Sequence, residues 1–484
     1  MSSASIGMDE VAIAPGEVVK IWLRHLLSLL FPISTLVFLW TGPHVWYVAP
    51  LYAIPFGIAM YVDQTAKVEK RQPLDSLPAW PFDALVYTLA VMQVIVVVET
   101  ARMFSHQTVF SMDMAMIFVI VGGNSGFSII AAHELIHRRP RWEQALGRLL
   151  LCTVLYEHFY TEHLRGHHVR VGTDRDPATA RFGESYRAFW RRTVPAQFRS
   201  AWRLEARRLG DENMSLFDRR MLRNRILQGI VVGWGIAFAL GLQFGHVAFV
   251  AHLLQAFVAV RLLEAVNYFE HWGLTRKGRR VQPADSWDTH SWFTYYGLTG
   301  LSRHADHHAN PARPYQQLRV FNEAPVLPVG YVGLVDMVMA RNTEFIDHAA
   351  GELERKRLGP FSDFDEVETE PERESRFAAL REKAAAAVPS RLPGIFAKLP
   401  SWSGAVAFWA TALVTLAFGG WLEAGGAVSF GARLAANAGI LAIFAGLLIG
   451  RFQLALRTGK EGLSWALALG LLVVIGRMTE NWLV

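Results

Sequence analysis

The sequence predicts an all-α, polytopic membrane protein, and three observations support this fold class. Hydrophobic residues make up 52% of the 484 positions, charged residues make up 19%, and the mean hydropathy is +0.21. Apolar runs long enough to cross a bilayer recur along the chain. Lys and Arg are concentrated in alternate connections between these runs. We therefore expect a six-helix transmembrane core followed by about three further helices near the C-terminus.

Six apolar segments form the expected core. They cover approximately residues 19–40, 45–62, 82–104, 112–137, 226–242 and 247–268. The connections after the first, third and fifth segments carry few cations, whereas those after the second, fourth and sixth are rich in Lys and Arg. Because short cytoplasmic loops carry the excess of positive charge, we expect the basic loops and the N-terminus in the cytoplasm of a bacterial inner-membrane protein.

The remaining composition divides the chain into four parts. Residues 1–18 form an N-terminal tail without the pattern of a removable signal peptide, and residues 19–350 form the transmembrane domain. Residues 351–401 are charged and rich in Ala and Pro, which is typical of a partly helical linker. Residues 402–484 contain three more apolar segments and no histidine, so we expect them to pack in lipid or serve assembly.

Composition also excludes several classes of protein. The single cysteine, Cys152, excludes a disulfide framework and a four-cysteine zinc or iron site within this chain. The net charge is +6 and the pI is near 9.4. The Lys and Arg residues are spread between the apolar segments and do not form one basic patch. We read these charges as topology signals and expect no nucleic-acid partner.

Histidines form four clusters at the ends of predicted helices. The clusters hold nine of the seventeen histidines: His133 and His137; His163, His167 and His168; His271; and His304, His307 and His308. Residues four apart on a helix share one face, so the first, second and fourth clusters have spacing that suits a metal ion. Neutral imidazole is a common ligand of divalent transition metals.

The number of ligands decides between metal sites. His133-Glu134-x-x-His137 alone would also fit a zinc protease with Glu134 as general base. Such a site needs one further ligand and leaves the other clusters unexplained, whereas two iron ions with open positions can use eight or nine. A metal transporter would place its ligands near the bilayer midplane, while these lie at helix ends. We therefore predict a dinuclear iron centre and assign no catalytic side chain beyond it.

The segments around the four histidine clusters resemble those of a known family. Segments 133–138, 162–168, 267–274 and 303–308 read His-Glu-Leu-Ile-His-Arg, Glu-His-Leu-Arg-Gly-His-His, Asn-Tyr-Phe-Glu-His-Trp-Gly-Leu and Arg-His-Ala-Asp-His-His. This order is similar to that of membrane-bound alkane 1-monooxygenases, within the integral-membrane di-iron hydroxylases and desaturases. The likeness extends over 176–185, 314–319 and 327–331 and covers roughly residues 19–345.

The resemblance implies a function and leaves one enzymatic alternative. It implies six transmembrane helices, an all-histidine iron pair, O₂ as co-substrate, and oxygen insertion into a terminal C–H bond of an alkane or similar long apolar chain. A lipid desaturase with the same metal core is the alternative. The chain departs from the family at Trp272, where Tyr is usual, and at Ser302, where Gln is common.

Polar residues near the clusters are candidates for orienting the ligand rings. The candidates are Glu134, Glu162, Glu264, Asn267, Glu270 and Asp306, together with Asp174 and Asp176. For Glu264 we weigh orientation of a ligand histidine against an ion pair with Arg261. His158 and His290 lie near the clusters in sequence and remain secondary candidates.

Electrons for such a centre must come from another protein. A rubredoxin-type site needs four cysteines, and the sequence has one and carries no Gly-rich nucleotide motif after a strand. We therefore expect a rubredoxin-type carrier with its reductase, in addition to membrane lipid and a hydrophobic substrate. Arg138, Arg139, Arg141, Arg165 and Arg170 are the basic residues expected to steer an acidic carrier.

Overall fold

The computed structural model describes residues 15–362, apart from positions 66, 75–76, 106, 110 and 215–216, together with a few positions between 371 and 382. Most of the predicted N-terminal tail, His106, most of the predicted linker and the three C-terminal apolar segments at 402–484 lie outside the described residues. The predicted domain boundaries in those regions remain predictions.

Helices make up the regular secondary structure of the described residues, which contain no strand beyond two isolated β-bridges. The helices are α1 (Pro15–His25), α2 (Leu30–Thr41), α3 (Ile54–Thr65), α4 (Trp80–Phe104), α5 (Met112–Met116), α6 (Val121–His137), α7 (Arg141–Thr153), α8 (His158–Glu162), α9 (His168–Arg170), α10 (Tyr186–Arg208), α11 (Arg225–Phe244), α12 (His246–Glu270), α13 (Trp292–Gly297), α14 (His304–Ala309), α15 (Tyr331–Ala340) and α16 (Asn342–Lys356). The predicted all-α class is confirmed.

Five helical segments in the described part of the chain are long and apolar enough to span a bilayer. They are Gly16–Thr41, Trp80–Phe104, Met112–His137, Arg225–Phe244 and His246–Glu270. The first joins α1 and α2 through a 3-10 turn, and the third contains α5 and α6. These segments correspond to five of the six predicted spans and establish a multi-pass membrane protein.

The second predicted span differs from expectation because it is divided. A 3-10 turn at Ala49–Ala53 precedes α3, which has 12 residues and is therefore about 18 Å long. Pro50 and Pro55 each lack the backbone N–H that a continuous helix would need. A hydrocarbon core is about 30 Å thick, so α3 alone does not cross it.

Small residues bring the two central helices close together. A Cβ atom on Gly122 of α6 would lie 2.5 Å from Val258 Cβ of α12, and one on Gly126 would lie 2.6 Å from Leu262 Cδ1. Glycines four apart on one face allow such close helix contact in membranes. This packing fixes the end of α6, which carries His133 and His137, beside the end of α12, which His271 follows.

Candidate metal centre

The fold brings all nine predicted ligand histidines together, in two groups. The first group contains His133, His137, His163, His168 and His307, and the second contains His167, His271, His304 and His308. Within each group one ring nitrogen from every histidine lies within 4.8 Å of the others. The residues come from α6, the turn between α8 and α9, the first residue of α9, the end of α12, and α14, so no single element builds either group.

A π-helical turn divides the second sequence cluster between the groups. Residues His163–His167 form this turn, and the His168 backbone N–H donates to the His163 carbonyl five residues earlier. His163 and His168 consequently face the same group, with their Nε2 atoms 3.0 Å apart. His167 points to the other group, where its Nε2 lies 3.1 Å from His271 Nε2. The expectation that His163 and His167 act as an i, i+4 pair is corrected by this turn.

Helix α14 divides its histidines in the same manner but with ordinary helical geometry. His304 and His308, four residues apart, face the second group. His307 faces the first group, with its Nε2 3.2 Å from His168 Nε2. One short helix therefore contributes to both groups and fixes their relative position.

The chemistry of these histidines fits metal ions. All three histidines of α14 are at most 5% exposed. Burial, and next the charge of neighbouring imidazoles, lowers the pKa of His163, His168, His304, His307 and His308 well below the ordinary value, so these rings are neutral, the form that can bind a metal ion. His133 Nε2 and both ring nitrogens of His308 are buried without a hydrogen-bond partner among the described residues. Converging lone pairs of this kind are satisfied by bound cations.

Asp176 holds one of the ligand rings. His167 Nδ1 lies 2.8 Å from Asp176 Oδ2, opposite to the nitrogen that faces the second group. Thr179 Oγ1 donates to the same oxygen at 2.6 Å, and the Ala178 backbone N–H donates to Oδ1 at 3.1 Å. Burial alone would raise the pKa of Asp176, but the charge and hydrogen bond of His167 and the Thr179 bond hold it below its ordinary value. Asp174, its neighbour in sequence, is exposed.

Three other candidate carboxylates contact arginines, which differs from the expectation that they orient ligand rings. Arg138 Nη2 donates to Glu134 at 3.3 Å, Arg170 Nη2 donates to Glu162 at 2.5 Å, and Arg313 Nη1 donates to Asp306 at 2.5 Å. Burial raises the pKa of Glu162 to about 7 against the opposing charge of Arg170. Their arginine partners compensate the charge of these buried or nearly buried carboxylates.

Glu264 and Asn267 form a buried polar network beside the site. Glu264 accepts hydrogen bonds from Tyr156 Oη at 2.8 Å, from Gln197 Nε2 at 2.9 Å and from Asn267 Nδ2 at 3.3 Å. Arg261 instead lies over the Trp190 ring, 4.8 Å from its centroid. Neither of the two roles considered for Glu264 matches these contacts, because its neighbours are neutral donors from three elements.

Glu270 lies at the edge of the second group. Its Oε2 is 3.2 Å from His304 Nε2, and its Oε1 accepts a hydrogen bond from Tyr331 Oη at 2.7 Å. Tyr331 begins α15 and is fully buried. The sequence singled out the segment around Tyr331 as part of the family likeness but assigned it no role, because the contact joins residues 61 positions apart.

An apolar pocket opens onto both histidine groups. Its walls are mainly Phe127, Ile129, Ile130, Leu262, Leu263, Val266, Leu298, Leu301 and Val335, and its polar lining residues include Asn267, Glu270 and Tyr331. His133 and His163 of the first group and His304 of the second also line it. Such a pocket fits a hydrocarbon chain with one end at the histidines.

The secondary candidates and the sequence departures lie outside these groups. His158 packs against Tyr156, with ring centroids 4.3 Å apart. The backbone carbonyl of His290 accepts a hydrogen bond from the Glu69 backbone N–H. Neither belongs to either group. Trp272 is fully buried and donates from Nε1 to the Glu184 carbonyl at 3.1 Å, so this departure from the family serves packing.

Comparison with known proteins places this geometry in a family. The fatty acid desaturase family model matches residues 112–331, a range that contains all nine histidines. The chain is 30% identical over 374 residues to an alkane 1-monooxygenase of Ectopseudomonas oleovorans, a match that covers 71% of this chain and 90% of that protein. The chain belongs to the alkane 1-monooxygenase family.

Other members of the alkane 1-monooxygenase family match over different extents. Alkane 1-monooxygenase 1 of Alcanivorax borkumensis is 32% identical over 328 residues, which cover 64% of this chain and 80% of that protein. Alkane 1-monooxygenase 1 of Pseudomonas aeruginosa is 42% identical over 217 residues, or 44% of this chain. The chain spans 56% of the length of the Pseudomonas aeruginosa relative. Membership of this family makes the chain a relative of membrane oxidoreductases that use iron.

Proposed function

We propose that this protein hydroxylates the terminal carbon of an alkane or a similar long apolar chain. The overall reaction consumes the hydrocarbon, O₂, two electrons and two protons, and yields an alcohol and water. One observation carries the proposal: the apolar pocket ends at imidazoles from both histidine groups, His133, His163 and His304. A substrate methyl group placed there would lie beside the site of oxygen chemistry, while the rest of the chain remains among aliphatic side chains.

Two iron ions are the proposed cofactors, one for each histidine group. The first would use the five imidazoles of its group, and the second would use the four of its group. Bound iron would supply the redox chemistry that activates O₂. The chain itself holds the ligand rings, as Asp176 does for His167, and excludes water through the apolar pocket walls.

Metal analysis tests the cofactor proposal. Purified full-length protein should contain about two irons per chain, and His133→Ala and His304→Ala should each lower that content. His158→Ala is the control because His158 is a partly buried histidine that packs against the rings of Tyr156 and Phe198 but belongs to neither group, so this variant should retain both irons. Tight stoichiometric zinc in a fully active protein would contradict the proposal.

Product analysis separates the two enzymatic reactions. Cells that express the chain with a rubredoxin and its reductase would receive n-alkanes, fatty acids and fatty acyl esters in separate cultures. A terminal alcohol from the alkane is expected. An alkene or an unsaturated acyl chain would instead indicate a desaturase, the reaction named by the family model that matches residues 112–331.

The proposed electron donor is a small acidic carrier of the rubredoxin type, itself reduced by a reductase. Arg139 and Arg141 are exposed, whereas Arg138 and Arg170 form ion pairs with Asp83 at 2.7 Å and Glu162 at 2.5 Å. Arg165 Nη1 also lies 3.8 Å from Glu205 Oε1, so three of the five arginines predicted to steer a carrier are ion-paired within the chain. If the exposed pair attracts the carrier, raising ionic strength should slow reduction; an unchanged rate would count against this role.

The proposed topology places the histidine groups and the N-terminus on the cytoplasmic face of a bacterial inner membrane. The distribution of Lys and Arg between alternate connections supports it. Asn213→Cys, at an exposed position in the turn after α10, should react with a thiol reagent only from the cytoplasm. Val45→Cys, in the connection after α2, should react from the opposite face, and the reverse pattern would overturn this topology.

A further inference from the structure

Helix α10 carries three distinct rows of side chains along its length. The row that faces the protein is Phe189, Thr193, Gln197, Ala201 and Glu205, all at most 1% exposed. A neighbouring row of Trp190, Val194, Phe198 and Trp202 is apolar and only partly covered. The exposed row contains Arg187, Arg191, Arg199, Arg203 and Arg207, interrupted by Pro195. The helix therefore presents an aromatic row and an arginine row away from the core.

The depth of α10 is fixed by its contacts with the ends of two spans. Gln197 Nε2 donates to Glu264 of α12 at 2.9 Å, six residues before that span ends. Glu205 accepts from the Arg225 backbone N–H, at the start of α11, at 3.1 Å. With 23 residues, α10 extends about 34 Å along the ends of α11 and α12.

The aromatic row continues the surface of the spans that faces lipid. Trp190 lies against Phe257 of α12, with ring centroids 6.2 Å apart, and Phe257 is 53% exposed. Arg261, one turn further along α12, lies over the same Trp190 ring at 4.8 Å. Phe257 is about 20 Å from the end of α12, which places it among the acyl chains. Trp190 thus contacts a lipid-facing ring on one side and, through Arg261, a cationic group nearer the end of α12 on the other, an arrangement that suits the amphipathic indole ring near a membrane interface.

Several arginines of the exposed row are not neutralised by carboxylates of the described residues. Arg191 and Arg203 form no ion pair with any described residue, and Arg199 donates from Nε to the Pro195 carbonyl at 3.1 Å. Arg207 pairs with Glu212. The charges considered for ligand binding are therefore those of Arg191, Arg199 and Arg203. Arginine binds phosphate oxygens through two parallel N–H donors.

We propose that α10 is an interfacial helix whose arginine row binds the phosphate groups of anionic phospholipids while its aromatic row packs among the upper acyl chains. A helix with adjacent aromatic and cationic rows is typical of membrane-surface segments. An acidic carrier protein would also attract the arginines, but it would leave the adjacent aromatic row, which is continuous with lipid-facing Phe257, without a lipid contact. The inference concerns lipid contacts and stands independently of the reaction proposed above.

The test measures lipid selectivity of the full-length protein. Protein in nanodiscs would be titrated with phosphatidylglycerol against phosphatidylcholine, and retained lipid would be counted by native mass spectrometry. The combined variant Arg191→Gln, Arg199→Gln, Arg203→Gln should lose at least tenfold in preference for phosphatidylglycerol, since each surface arginine contributes roughly fivefold. The control Arg279→Gln, Arg280→Gln, Arg357→Gln changes three exposed arginines elsewhere and should keep the preference.

Two further measurements keep the proposal falsifiable if the combined variant folds poorly. Replacing the same three arginines by lysine should retain most of the phosphatidylglycerol preference. A fluorophore on Phe198→Cys should be quenched by brominated acyl chains. Quenching by aqueous iodide alone, or an unchanged preference in the glutamine variant, would overturn the proposal. A raised KM for the electron carrier with unchanged lipid binding would assign the arginine row to the carrier and would also overturn it.

Discussion

His167 and Asp176 lie 2.8 Å apart, from imidazole Nδ1 to carboxylate Oδ2, and both side chains are buried. The opposite ring nitrogen of His167 faces the second histidine group. Asp176 fixes the tautomer and the direction of a proposed metal ligand from nine residues away in the chain. This contact is the clearest case in the structure of a carboxylate that orients a ligand ring.

Replacing Asp176 by Asn should weaken iron binding by about 10- to 100-fold, because the neutral amide no longer stabilises the His167 tautomer. Iron content after dialysis against a chelator measures this effect. Asp174→Asn is the control, since Asp174 is exposed two residues away, and it should leave iron content unchanged. Equal iron retention in both variants would remove the role assigned to Asp176.

Single histidine variants of α14 should separate the two proposed metal ions. His307 belongs to the first group and His308 to the second, so each alanine variant should lose mainly one iron and retain about one per chain. The loss follows from removing a buried ligand from one group while the other group stays intact. Mössbauer spectra should differ between the two one-iron proteins. Complete loss of both irons from each variant would mean that the groups do not bind independently.

Tyr331→Phe should destabilise the protein by about 1–3 kcal/mol, because Glu270 Oε1 would lose its 2.7 Å hydrogen bond in an apolar pocket. The thermal unfolding midpoint of the purified protein measures this loss. Tyr61→Phe removes a hydroxyl from a side chain that is 67% exposed and should change the midpoint little. Matching midpoints for the two variants would argue against the importance of the Glu270 contact.

Gly126→Ala should narrow the substrate pocket. The new Cβ would lie 2.6 Å from Leu262 Cδ1 and 2.9 Å from Leu262 Cβ, and both residues line the pocket, so the leucine side chain and the contact between α6 and α12 must shift. We expect turnover of long alkanes to fall by about tenfold relative to short ones, as for a change of one methylene in an apolar pocket. Gly235→Ala in α11 has no atom within 4 Å of its new Cβ and should keep the chain-length profile of the unaltered protein.

Sequence alone located the spans and the histidines because both leave local signals. Apolar runs of bilayer length identify membrane helices, and five of the six predicted runs are helices of spanning length among the described residues. The division of the second run could have been read from Pro50 and Pro55, which interrupt helical hydrogen bonding. All nine clustered histidines lie in the two groups. The first and third clusters lie at the ends of α6 and α12, as predicted, whereas the second lies around the π turn between α8 and α9 and the fourth lies within the short helix α14.

Tertiary structure decided which histidine belongs to which group and what orients it. The π turn at His163–His167 breaks the i, i+4 rule on which the spacing argument rests, and it sends His167 to the group opposite His163. Asp306 turns to Arg313 although it lies between ligand histidines, whereas Asp176, in a separate loop, reaches His167. Ligand identity follows from residue type and local spacing, but partner choice depends on contacts between distant segments, which periodicity along the chain does not encode.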